Sequence, residues 1–226
     1  MDIRKELIKN LFYLKEIGLQ AIPISEAIKK LLQQEVPLEE DSLFSLQNKV
    51  LRCVKCTLHR VRKGVVWGEG PTEPNGLMII SEYPDRDEDF YGKPFIGEVG
   101  NLLERMLAAI NLKRESFFIT HAVKCKTPGG RPPEQEEIEA CKPHLLKQIK
   151  HLKPKLILAL GFTPPKVLLD GKNLTLVRGK IFKLKEINIF FTYHPSFVLK
   201  NPGIKRAVWE DLQKFRKFYE EMFLAS

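Results

Sequence analysis

Four cysteines, Cys53, Cys56, Cys125 and Cys141, carry the spacing that most directly suggests chemistry. Cys53-Val54-Lys55-Cys56 is a C-x2-C pair, and two thiolates so spaced can reach one metal from a single turn. Cys125 and Cys141 follow, with fifteen residues between them. Such a set in an intracellular chain points to a metal site before a disulfide framework or four unrelated buried thiols. Tetrahedral zinc and an iron–sulfur cluster both accept four thiolates, so ligand type alone leaves the metal open. Four cysteines complete a site, which argues against His121 as a further ligand.

The elements that must position these residues change character along the chain. Segments 2–18 and 24–34 carry apolar residues at helical spacing, punctuated by Gly18, Pro23 and Pro37, and a third helix is expected at about 40–52. Residues 1–45 thus read as an N-terminal helical extension and 46–226 as an α/β domain. In the latter, the apolar runs Leu77–Ile80, Phe117–Thr120, Leu156–Leu160 and Ile187–Thr192 fit buried strands. Helical patterns at 98–110, 134–151, 163–170 and 207–223 fall around them. Strands alternating with helices predict a three-layer α/β/α arrangement with a parallel sheet covered on both faces. Ligands of such sheets sit beyond the carboxyl ends of the strands, which directs attention to 81–97, 121–133, 161–165 and 193–201.

Composition narrows the class. Hydrophobic residues make up 43% and charged residues 29%, as in globular proteins rather than disordered or fibrous ones. No apolar run approaches the roughly 20 residues of a membrane span, and the N-terminus has no signal-peptide pattern, so a cytoplasmic protein without membrane association is expected. The net charge is +9, yet residues 1–45 hold six Lys/Arg against eight Asp/Glu. The positive excess belongs to the rest of the chain, where it would attract a polyanion such as DNA.

Read from Cys53, the chain gives CVKCTLHRVRKGVVWGEG, LMIISEYPDRDEDFYGKPFIGEVGNLLERML and FFITHAVKC, then Cys141, PKLILALG and TYHPSFVLKNPGIKRAVWEDL. From about residue 50 to 218 this resembles the family 4 uracil-DNA glycosylases, the thermophile-type enzymes with a [4Fe-4S] cluster. The resemblance implies a central four-stranded parallel sheet and monofunctional hydrolysis of the N-glycosidic bond of a base flipped out of DNA. It also implies a structural cluster on Cys53, Cys56, Cys125 and Cys141, a monomer, and a nucleoid-associated DNA-repair role. Glu82 matches the acidic residue of the motif Gly-Glu-x-Pro-Gly, and Phe95 the aromatic that stacks on the flipped base. His194 matches the histidine that hydrogen-bonds the base O2 as charge grows on the leaving pyrimidine. A carboxylate near the sugar would orient water and stabilise oxocarbenium character; Glu82 is the first candidate and Glu88 the second. The stretch 195–200 is expected to be a loop entering the minor groove, with Leu199 or Phe197 as wedge. Ser196, Lys200, Lys205 and Arg206 would face the phosphates.

Three departures from the family fall at the pocket. The first motif reads Ser81-Glu82-Tyr83-Pro84-Asp85, placing Tyr83 where the family has glycine or alanine and Asp85 where it has glycine. Both are expected to line the substrate pocket, narrowing it, reshaping it or supplying a new catalytic carboxylate. The third is His121, where the family motif T-N-x-V-K-C has asparagine. An asparagine amide presents its oxygen and NH2 side by side, matching uracil N3–H and O4, whereas the two imidazole nitrogens point apart. His121 therefore predicts altered or broadened recognition of deaminated bases, or a non-catalytic, cluster-bearing DNA-binding protein on the same fold.

Overall fold

Short apolar runs become strands here because both faces of the sheet are covered, so alternation between polar and apolar residues is not needed. In β1 (Leu77–Ser81), β2 (Phe117–His121) and β3 (Leu156–Leu160) every residue is buried. With β4 (Ile181–Leu184) and β5 (Ile187–Thr192) they form one sheet in the order β2-β1-β3-β5-β4. The structure, a computed structural model, describes residues 42–74 and 76–224. The helices expected at 2–18 and 24–34, and nearly all of the 1–45 extension, lie outside the described residues.

The expected four-stranded parallel sheet is a five-stranded mixed one. β2, β1, β3 and β5 run parallel to their neighbours, and β4 adds antiparallel to β5. β4 alternates exposed and half-buried residues, as an edge strand does, and joins β5 through a tight turn at Lys185, whose φ is 55°. Four residues of which one is lysine carry little signal of a strand.

Eight helices complete the described domain. These are α1 (Leu43–Leu51), α2 (Arg86–Tyr91), α3 (Gly97–Ala108), α4 (Gln135–Leu152), α5 (Thr163–Leu168), α6 (Leu174–Val177), α7 (Pro195–Lys200) and α8 (Lys205–Phe223). On one face of the sheet, Met78, Ile80, Phe118 and Ile157 pack under α1, α4, α5 and α6. On the other, Ile79, Ile119, Leu158 and Phe190 meet Leu103 and Leu107 of α3 and Leu212 and Phe215 of α8. Each such buried side chain contributes about 1.5–3 kcal/mol, so the two layers hold the strand ends in fixed relation.

The outer edge of β2 is closed by the segment before β1. Glu69 and Ile119 exchange both backbone hydrogen bonds, at 3.0 and 2.7 Å. Gly70 sits at φ 120°, and a Cβ there would come within 2.1 Å of the Phe117 carbonyl oxygen, so the close approach requires glycine.

Candidate functional site

The parallel register sets Ser81, the last residue of β1, beside His121, the last of β2. His121 is 1% exposed, and neither ring nitrogen makes a well-formed hydrogen bond. Its Nε2 lies 3.4 Å from Glu88 Oε1, a charge contact that falls short of directional bonding. Glu88 is held by α2: Asp85 and Glu88 form a capping box in which the Asp85 N–H donates to Glu88 Oε2 at 2.8 Å. The Phe95 N–H donates to Glu88 Oε1. Burial alone would raise the Glu88 pKa, but the His121 imidazole and these two N–H groups outweigh it and pull it down to about 2. Glu88, the second candidate for a catalytic carboxylate, is thus occupied in fixing His121 and the Phe95 backbone. Asp85 is exposed, and its carboxylate caps α2 through the N–H groups of Asp87 and Glu88, both at 2.9 Å.

Phe95 neighbours two imidazoles. Its ring centroid is 6.1 Å from that of His121 and 5.4 Å from that of His194, with interplanar angles of 28° and 27°. Phe95 adopts φ 54°, and Arg114 braces its loop by donating to the Pro94 carbonyl at 2.6 Å and the Phe95 carbonyl at 3.2 Å.

His194 directly precedes α7, so the expected loop at 195–200 is instead a helix, begun by Pro195 at its first position. The Ser196 backbone N–H donates to His194 Nδ1 at 3.2 Å, which leaves the ring proton on Nε2. Ser196 Oγ lies 2.7 Å from the same nitrogen. Ser196, expected to face a phosphate, therefore helps fix the histidine tautomer. Nε2 lies 2.9 Å from Ser81 Oγ. Burial lowers the His194 pKa to about 3, with His121 and Lys200 adding to the effect against the attraction of Glu88. The ring is neutral at pH 7. Leu199 is half-buried and Lys200 exposed on α7, while Arg206 pairs with Glu210 one turn along α8 at 3.2 Å.

Glu82 stands apart from this group. Its Oε1 accepts from the N–H groups of Phe162 and Thr163 at 2.7 and 3.2 Å, where β3 passes into α5. Burial raises its pKa against those bonds. Gly161 makes room for it: at φ 97°, a Cβ would lie 2.4 Å from the Glu82 carboxyl carbon. Glu82 and Tyr83 line a neighbouring cleft of about 400 Å³ with Pro132, Pro133, Phe162 and Lys166.

All four cysteines line a separate small cavity. Arg62 Nη1 donates to Cys125 Sγ at 3.1 Å and its Nη2 to the Cys53 carbonyl at 2.7 Å. The Lys124 N–H donates to Cys141 Sγ at 3.3 Å, and His144 Nε2 lies 3.3 Å from Cys53 Sγ. Burial raises the Cys141 thiol to about 11, so a thiolate there calls for a compensating cation. Among the described residues no three His, Cys, Asp or Glu side chains converge as a ready single-ion site. Two of the four sulfurs, those of Cys125 and Cys141, accept N–H hydrogen bonds, from Arg62 and Lys124. The neighbouring buried Lys124 donates through Nζ to the His121 carbonyl and to Thr120 Oγ1, both at 2.6 Å, linking the cysteine region to the imidazole pocket.

Sequence reasoning missed Arg62, Lys124 and Gly161, and treated Ser81 only as a departure in the first motif. The glycine after the β3 run was a signal for close approach; for Arg62 there was none.

The family model of the uracil DNA glycosylase superfamily matches residues 67–213. A type-4 uracil-DNA glycosylase of Sulfurisphaera tokodaii is 41% identical over 187 residues, covering 78% of this chain and 84% of its own. One from Pyrobaculum aerophilum is 38% identical, covering 76% and 92%. Another, from Thermotoga maritima, is 36% identical, covering 80% and 97%.

Proposed function

The chain belongs to the uracil DNA glycosylase superfamily, and from that membership we propose that it is a monofunctional DNA-repair glycosylase hydrolysing the N-glycosidic bond of uracil in DNA. The observation that carries the reading is His194, neutral and locked as the Nε2–H tautomer at the carboxyl edge of the sheet. A base flipped out of the stack would bring its O2 to that N–H, displacing the Ser81 hydroxyl. A fixed neutral donor stabilises the pyrimidine anion as the glycosidic bond breaks, with no proton transfer. Phe95 would stack on the base, and His121 would meet its outer edge. Glu82 is the carboxylate proposed to orient water; Glu88 positions His121 and Phe95. On the DNA side, α7 would carry Leu199 as wedge and Lys200 as a phosphate contact.

We assign a [4Fe-4S] cluster to Cys53, Cys56, Cys125 and Cys141, which line one cavity with donors from Arg62 and Lys124 aimed at sulfur. Bound, it would tie the loop after α1 to the end of β2 and to α4, a structural contribution. Among the described residues no helix is long and apolar enough to cross a membrane. The proposed setting is inside the cell at the nucleoid, with the protein acting as a monomer.

The test incubates the holoprotein with single- and double-stranded oligonucleotides carrying uracil, hypoxanthine or xanthine, followed by alkali. Uracil excision is expected, falling by about 10²–10³ in His194→Ala. No cleavage of any substrate would overturn the enzyme reading in favour of a non-catalytic DNA-binding protein.

A further inference from the structure

Consecutive residues at the end of β1 serve two places at the carboxyl edge of the sheet. Ser81 faces His194 in the first. Glu82 and Tyr83 line the second. Its volume of about 400 Å³ is in the range of small-molecule sites, and its walls mix aromatic and proline surface with polar side chains. Tyr83, Phe162, Pro132 and Pro133 supply flat walls, and Glu82, Thr163, Lys166 and Asn173 bring polar groups to the lining. The half-buried Glu82 carboxylate on the lining disfavours a phosphate inside, whereas Lys166, exposed on α5, suits a phosphodiester at the rim.

An aromatic series leads to this cleft from α7. Phe197 and Tyr193 stack with centroids 5.2 Å apart, Phe197 meets Phe162 edge-on at 5.3 Å, and Phe162 lies 6.1 Å from Tyr193. All three residues are half-buried, and the Arg178 guanidinium lies over the Tyr193 ring at 5.2 Å. Aromatic rings beside a positively charged rim are how proteins hold unpaired nucleic acid, since every base offers a face for stacking. Tyr83 is the ring added where the family has glycine or alanine.

We propose that this second cleft receives the nucleobase adjacent to the excised uracil, so that the enzyme grips two consecutive unstacked nucleotides. The proposal rests on the glycosylase reading. It predicts a preference for single-stranded or unpaired substrate, because the neighbouring base must also leave the stack.

The test uses the holoprotein and single-stranded oligonucleotides with one uracil, in which the 5′ or the 3′ neighbour is replaced by a stable abasic spacer. Removing the base on one side is expected to lower kcat/KM about tenfold, the loss of one stacking contact. That sensitivity is expected to persist in Tyr83→Phe and to disappear in Tyr83→Gly, with thermal melts showing both variants folded. In parallel, 2-aminopurine at the same position reports stacking by fluorescence quenching, whether or not excision occurs. The proposal is overturned if neither spacer matters, if Tyr83→Gly keeps the full sensitivity, or if 2-aminopurine is not quenched. Quenching without any excision would overturn the glycosylase reading, and with it the place beside an excised uracil, while showing that the cleft still takes a base.

Discussion

At His194 the two ring nitrogens have separate tasks, and the backbone decides which does which. The Ser196 N–H can only donate, so Nδ1 must accept and Nε2 must carry hydrogen. With a folded pKa of about 3 against 6.5 unfolded, the ring stays neutral in the native state above about pH 3. The unfolded chain takes up that proton on acidification and the native one does not, so this site removes stability as pH falls from 6.5 towards 3. Imidazole nitrogen NMR spectra are expected to show one histidine fixed as the Nε2–H tautomer with no titration between pH 5 and 8. A transition of that ring near 6.5 would contradict the assignment. His121 is the opposite case, with its Nε2 turned to Glu88 and no donor–acceptor pair left to offer uracil. Restoring the amide in His121→Asn is expected to raise uracil kcat/KM by about ten- to a hundredfold, the worth of one paired edge contact. Unchanged or lower excision would show that His121 does not limit recognition.

Elements matter here mainly where one ends against another. β3 ends at Gly161, and the absent Cβ lets Glu82 reach the N–H groups of Phe162 and Thr163. Gly161→Ala is expected to drive the carboxylate from its place, lowering kcat more than tenfold while the melting temperature drops by only a few degrees; steady-state excision and calorimetry separate the two. Equal excision by the variant would show that the position of Glu82 is not critical. Four strands were legible because each is a short, largely apolar run, and the pocket residues because they follow the strand ends. β4 was not, being a short hairpin arm whose pairing with β5 defines it. The helix α7 escaped notice at six residues, although Pro195 at its first position was a usable sign. So did α2, despite Asp85 and Glu88 at capping-box spacing. Contacts such as Ser81 with His194, 113 residues apart, join ends of different strands, and no local pattern announces them.

Over the whole molecule, charge and edges act together. Residues beyond 45 carry a net +11 against −2 for the first 45. Lys166, Lys200 and Lys205 are exposed on α5, α7 and α8, around the proposed strand path. If these three meet phosphates, log Kd for single-stranded DNA plotted against log salt is expected to slope by about 2, and Lys200→Ala to reduce that by about 0.7. A slope near zero would remove the charged track from the account. The closure of β2 by Glu69 and its flanking glycines bears on heat rather than on DNA. A parallel sheet opened at its edge offers a template to any other partly unfolded copy. Here one edge is already occupied by the chain itself, and the other, β4, carries Lys183 with Lys185 at its turn. Copies that loosen on warming meet either an edge bridged at Ile119 or a like charge, both of which work against fibril-like association.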